Sequence, residues 1–152
     1  NFNETVLEKI LKSNGLIFHQ LFVAKPHVFI SRHHPLADHK IITNEELDDY
    51  PYLSFEQGEH NSFYFSEEIF SVSERKKNIR VRDRATLFNL LIGLNGYTVC
   101  SGVIDKKLNG KDIIAVPLVD ESDMRIGYII HKKRMLSRLG TTYLDALKKY
   151  LQ

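Results

Sequence analysis

His34-Pro-Leu-Ala37, followed after a short basic gap by Ile42-Thr-Asn-Glu-Glu-Leu-Asp-Asp-Tyr-Pro-Tyr-Leu-Ser-Phe55, is the stretch on which the fold turns. It spells a strand end, a turn, a one-turn helix and a new strand. Thr43 and Glu46 stand three apart, so the threonine hydroxyl can accept the Glu46 amide while the glutamate reaches back to the Thr43 amide, a capping box. Pro51 lacks an amide donor and stops that helix, and Tyr52-Leu-Ser-Phe55 then reads as extended.

Upstream, Asn3 can cap a helix whose apolar positions Val6, Ile10 and Leu11 recur at helical spacing, and Asn14-Gly15 is its stop signal. Leu16–Ala24 and, past Pro26, His27–Ser31 are rich in β-branched and aromatic residues, which predicts two strands hinged at Lys25-Pro26. Downstream, a polar loop from Glu56 to Asn61 leads into a predicted helix, Ser62-Phe-Tyr-Phe-Ser-Glu-Glu-Ile-Phe70, capped by Asn61 or Ser62. Asn78-Ile-Arg-Val-Arg-Asp83 alternates apolar and charged residues as a half-exposed strand does, with Arg80 and Arg82 on one face. Asp83 can cap the next helix, whose Leu87, Leu90, Leu91 and Leu94 form one stripe ended by Asn95-Gly96. Strands at Tyr97–Cys100, Ile113–Leu118 and Met124–His131 follow. A last amphipathic helix starts near Gly140, carries Tyr143, Leu144, Leu147 and Leu151, and places Lys148 and Lys149 near its negative end. Helices alternating with strands imply an α/β architecture with a mixed or largely parallel sheet.

Composition narrows the function. The 152 residues, 43% hydrophobic and 26% charged, suffice for one sizeable core. No run reaches the roughly 18 apolar residues a membrane span needs, and Asn1-Phe-Asn-Glu lacks the pattern of a signal peptide, so a soluble, cytoplasmic protein is expected. The chain starts without methionine and reads as a piece of something longer. A net charge of +2 is too small to argue a nucleic-acid surface for the whole domain. Cys100, the single cysteine, lies in an apolar run and reads as a buried strand residue rather than a nucleophile. Seven histidines invite a metal reading, but His33 and His34 are adjacent and diverge, and no ligand set stands at metal spacing. Paired carboxylates, a nucleophile with its base and a phosphate-cradling glycine loop are not found, so neither enzyme nor cofactor is expected.

Five segments in order carry a resemblance: the His34-Pro-Leu-Ala37 turn, the run from Glu46 to Ser54, the helix Arg84-Ala-Thr-Leu-Phe-Asn-Leu-Leu-Ile-Gly-Leu-Asn-Gly96, Val116-Pro-Leu118 and Met124-Arg-Ile-Gly-Tyr-Ile129. Together they cover nearly the whole chain, and the chain resembles the effector-binding domain of LysR-type bacterial transcription regulators. The resemblance implies a periplasmic-binding-protein-like two-lobed α/β domain with mixed sheets and a small effector bound between the lobes. Residues 26–102 would form a complete second lobe, with 1–25 and 103–152 as part of the first. The helix-turn-helix that contacts DNA and one wall of the cleft would lie outside this sequence. The parent would be a homodimer or homotetramer reaching DNA only through that other domain, and the piece alone would bind effector weakly.

Carried over position by position, the second-lobe wall falls on Ser31, on Gln57, Gly58, His60, Asn61 and Ser62, and on Arg84 and Thr86 at the start of the next helix. Hydroxyls, an amide, helix-start amides and an arginine suit a small anion or an amino-acid carboxylate. Structural explanations stand beside this one. Asn61 or Ser62 can simply cap a helix, Gln57-Gly58 can simply turn the chain, and Arg84 can be a solvated first-turn residue. The strip Arg75-Lys-Lys77, Arg80 and Arg82 could touch phosphate, but a solvated strand face and loop explain it as well, and that reading is favoured. The competing function is a periplasmic-type solute receptor, which shares the fold but would need an export signal.

Overall fold

The computed structural model describes residues 4–56, 75–120 and 122–151. The chain divides into two compact units. Unit 1 comprises Asn1–Val23 and Arg125–Gln152, and unit 2 comprises Ala24–Met124. The sequence placed the second division near Gly102. It falls instead at Met124, because the strand after Gly102 pairs inside unit 2.

Unit 1 contains helix α1 (Glu4–Ser13), most of strand β1 (Leu16–Ala24), most of β7 (Met124–His131) and helix α4 (Arg138–Tyr150). α1 ends as expected, with Gly15 at φ +66°, a conformation glycine adopts without steric cost. β1 and β7 pair as a two-stranded sheet. The Lys132 amide donates to the Gly15 carbonyl at 2.8 Å, and Gly127 faces the His19 carbonyl, so numbers fall along β7 as they rise along β1. The His19 and Tyr128 rings stack at 4.9 Å with planes 10° apart. α4 begins two residues before the expected Gly140 because Ser137 caps it, its hydroxyl accepting the Gly140 amide at 3.1 Å. Of the apolar stripe expected on α4, Leu144 is buried, whereas Tyr143 is 67% exposed.

Unit 2 is built on β2 (His27–Ser31), β3 (Tyr52–Phe55), β4 (Asn78–Val81), β5 (Thr98–Cys100) and β6 (Ile113–Pro117), with helices α2 (Arg84–Gly93) and α3 (Lys106–Asn109) and a short 3-10 turn, Glu45–Leu47. β2 pairs antiparallel with both β5 and β6, and β3 pairs parallel with β4. A parallel bridge from Tyr52 to Tyr97 joins the two groups, with the Tyr97 amide on the Pro51 carbonyl and the Leu53 amide on the Tyr97 carbonyl. The strands therefore run in the order β4-β3-β5-β2-β6, with β2 antiparallel to the other four. The sheet is mixed, as the alternation of helices and strands implied.

Both faces of this sheet are covered. Val28, Ile30, Tyr52, Tyr97, Val99 and Val116 pack on one side with Leu36, Ile42 and Leu47 from the connecting segment. Phe29, Leu53, Val81 and Ile113 pack on the other with Leu87 and Leu91 of α2. Successive β2 side chains thus enter different cores, which is why His27–Ser31 reads as continuously apolar rather than alternating. The expected α2 stripe is narrower than four leucines, since Leu94 is 48% exposed. The capping box before β3 forms: the Thr43 amide donates to Glu46 Oε2 at 2.8 Å and the Glu46 amide to Thr43 Oγ1 at 3.4 Å. The expected helix Ser62–Phe70 lies outside the described residues.

Candidate functional site

Four of the five strands of unit 2 point the same way, so their carboxyl ends, Phe55, Val81, Cys100 and Pro117, share one edge with His27, the first residue of the reversed β2. In open α/β sheets this is the edge at which ligands bind, because helices start there with unpaired amides. Glu56 and Arg82, one step beyond β3 and β4, form an exposed ion pair with Arg82 Nε 2.5 Å from Glu56 Oε2. The hydrogen bond and charge of Arg82 hold the Glu56 carboxyl below the usual carboxylate range.

α2 opens directly from this edge. The Asp83 carboxylate accepts the Thr86 amide at 2.8 Å and the Thr86 hydroxyl at 2.7 Å, which keeps its pKa below the ordinary aspartate value. Arg84 is exposed, with its guanidinium carbon 4.9 Å from the centre of the Phe88 ring. That cation–π contact holds the side chain near α2, and a guanidinium is a group that a carboxylate can accept bidentately. Across the edge, His27 is half-buried with Nδ1 2.8 Å from the Lys25 carbonyl. The loop after β5 passes over the His27 ring at Gly102, which has φ +77° and where a Cβ would lie 2.6 Å from the ring. Cys100 is half-buried rather than buried, its Sγ 3.8 Å from the His27 carbonyl.

The structure separates the residues that the sequence grouped. Arg84 and Thr86 belong to the carboxyl-end edge. Ser31 ends the antiparallel β2, opposite Ile113 at the start of β6, and so lies at the other end of the sheet, a strand length of about 13 Å away. It is also 1% exposed, and its hydroxyl oxygen accepts the His33 amide at 3.2 Å. Ser31 therefore does not belong to a site with Arg84. Gln57, Gly58, His60, Asn61 and Ser62 lie outside the described residues. His27, Glu56 and Gly102 were not singled out as site residues in the sequence, and Arg82 was read there as part of a solvated strip. Gly102 carried a usable signal, a glycine immediately past a strand, but the other three only become neighbours once strand directions are known.

The opposite edge holds a cavity of about 340 Å³ lined by Asn44, Leu47, Asp48, Tyr50, Tyr97 and the run from Arg75 to Lys77. Arg75 donates to Asn44 Oδ1 at 3.1 Å and its guanidinium stands 5.6 Å and 5.9 Å from the Tyr97 and Tyr52 ring centres. Lys77 Nζ donates to the Asp49 carbonyl at 2.6 Å. These contacts correct the reading of Arg75 and Lys77 as merely solvated: both tie the segment before β4 to the turn before β3.

Comparison with known proteins agrees with this architecture. The LysR substrate binding domain family model matches residues 5–152. Among solved structures, HinK, a LysR family transcriptional regulator from Pseudomonas aeruginosa, superposes with a TM-score of 0.65 at 14% identity, over 90% of this chain and 48% of that one. The effector binding domain of QuiR in complex with shikimate gives 0.61 at 15% identity, over 99% and 78%. A variant of the BenM effector binding domain gives 0.63 at 16%, again over 99% and 78%. The chain spans about half the length of the first two regulators it superposes on. No curated protein matches the sequence. Domains of this family have the periplasmic-binding-protein-like two-lobed fold, and among the described residues no helix is long and apolar enough to cross a membrane. A family match across residues 5–152, on a mixed α/β chain dividing at Ala24 and Met124, makes this chain a member of the LysR substrate binding domain family.

Proposed function

We propose that this chain is the ligand-sensing domain of a LysR-type bacterial transcription regulator and that unit 2 takes a small anionic effector, a carboxylate or amino-acid-like molecule, at the edge formed by Arg84, Thr86 and the ends of β3, β4 and β5. One observation carries the reading: four parallel strand ends and the start of α2 share that edge, with an exposed arginine held against Phe88 beside them. Superposable effector-binding domains solved with shikimate and with benzoate favour the same class of ligand. In this proposal the parent protein is cytoplasmic, assembles as a homodimer or homotetramer, reaches its operator through another domain and catalyses no reaction. Bound effector shifts the parent between states only by its difference in affinity for them.

The test is an NMR titration of the chain with benzoate, shikimate and a panel of amino acids, which reports even weak binding. Amide shifts at Arg84, Thr86, Ser101 and Gly102, abolished by Arg84→Ala and retained in Ser31→Ala, are expected. Shifts that persist in Arg84→Ala, or that centre on Ser31, sink the assignment of this edge.

A further inference from the structure

Charge on this chain is sorted between its two units. Unit 1 carries nine Lys and Arg against three Asp and Glu, a net +6, while unit 2 carries twelve against sixteen, a net −4. The overall +2 conceals this difference. The excess on unit 1 is densest in residues 131–138, His-Lys-Lys-Arg-Met-Leu-Ser-Arg, where Lys132, Lys133, Arg134 and Arg138 fall within seven positions and no acidic residue occurs from 124 to 144.

The geometry presents these cations to solvent. Every residue from 132 to 139 is exposed. The turn is fixed by its backbone, with the Arg134 amide donating to the His131 carbonyl at 2.9 Å and the Lys133 amide to His131 Nδ1 at 3.1 Å. Ser137 then caps α4. Among the described residues none of the four cations joins an ion pair. Four unpaired like charges held together repel one another, an arrangement that becomes favourable when a polyanion arrives and its condensed counterions are released.

We propose that residues 132–138 form a docking surface for the phosphate backbone of duplex DNA, so that the sensing domain itself holds the nucleic acid without reading its sequence. The sequence reading confined DNA contact to another domain because the family resemblance places the helix-turn-helix there. The chemistry favours DNA over an acidic protein. Protein interfaces are depleted in lysine, whereas this surface is rich in it, and Lys9, Lys12, Lys148 and Lys149 extend the basic character of the same unit. The choice of DNA as the polyanion rests on the regulator reading above; the basic surface does not.

The experiment is fluorescence anisotropy of the 152-residue chain with a labelled duplex of arbitrary sequence, in the absence of effector, across about 50 to 200 mM salt. Binding is expected, with a log–log salt slope that becomes shallower by about 3 to 4 when Lys132→Ala, Lys133→Ala, Arg134→Ala and Arg138→Ala are combined, as four phosphate contacts require. All four side chains are exposed, and circular dichroism confirms that the variant is folded. A second variant, Lys106→Ala, Lys107→Ala and Lys111→Ala on unit 2, should bind the duplex as the parent chain does. No binding at low salt, an unchanged slope in the fourfold variant, an equal loss in the unit 2 variant, or tighter binding to polyglutamate than to the duplex would each overturn the proposal. Effector titration by NMR is read separately, so failure of the sensing role and failure of this surface give different results.

Discussion

His34 Nε2 lies 3.0 Å from the carbonyl oxygen of Asn95, sixty-one positions away, while His34 Nδ1 accepts the Leu36 amide at 3.0 Å. The two partners fix the tautomer: Nδ1 accepts, so Nε2 must carry the hydrogen and donate. The imidazole is 3% exposed and packs 4.3 Å from the Tyr50 ring. It staples the turn after β2 to the end of α2, where Asn95 adopts φ +49°, one of the few non-glycine roles for the left-handed region.

Burial holds the His34 pKa below its ordinary value of 6.5, so below that pH the unfolded chain binds more protons than the folded one. This contribution to stability is complete above about pH 6.5 and is lost as the pH falls toward the depressed folded value. Urea unfolding midpoints should therefore decline from pH 7.5 to 5.5, before the carboxylates of Glu46 and Asp83 begin to titrate. His34→Gln should flatten that decline; an unchanged slope in the variant would show that the staple is not the titrating element.

Tyr97 is fully buried, and among the described residues its hydroxyl has no hydrogen-bond partner. Desolvation pushes the phenol up to about 12, so it stays protonated at any ordinary pH. Tyr97→Phe removes an unsatisfied polar atom without changing the packing of the ring, and should raise unfolding stability by about 1 kcal/mol. Chemical denaturation measures this directly, and a loss of stability would mean that the hydroxyl is bonded after all.

Asp83 supplies two hydrogen bonds to Thr86 and sets the start of α2, whose Leu87 and Leu91 form part of one core. Asp83→Ala should cost about 1 kcal/mol, and Asp83→Asn, still able to cap, markedly less. Equal losses in the two variants would place the effect in charge rather than in capping.

At Gly127 β7 lies close against β1: a Cβ there would stand 2.2 Å from the His19 carbonyl oxygen, a backbone atom that cannot swing aside. Gly127→Ala should destabilise unit 1 by about 1–3 kcal/mol or more. Hydrogen exchange should then speed up along Leu16–Ala24 and Met124–His131 while the amides of β2, β5 and β6 keep their protection. Uniform loss across both units would mean that they unfold as one.

The sequence was most legible where a local chemical rule acts alone. The bounds of β1 and β2, the Thr43–Glu46 capping box, the Asp83 cap and the stop at Asn14-Gly15 all depend on residues within four positions of one another, and all are present. It was least legible where direction or partner mattered. Ser31 was carried over from the family resemblance as a residue at a strand end, but a strand's side-chain pattern is the same read either way, and only the pairing with β5 and β6 shows that β2 runs backwards and carries Ser31 to the far edge. Leu94 and Tyr143 share the helical period of buried neighbours and still face outward, because periodicity reports a stripe and not its width. The basic excess of unit 1 is masked in the total, because the net charge of the chain sums it with the acidic excess of unit 2.

Unit 2 is a single uninterrupted stretch of chain whose two ends meet, with Lys25 Nζ and Asp123 Oδ1 only 2.7 Å apart beside the points at which the chain enters and leaves. A segment with adjoining ends can be exchanged as a cassette through one pair of neighbouring junctions. On the proposed effector edge, transplanting Ala24–Met124 as a block is the exchange expected to carry ligand preference with it.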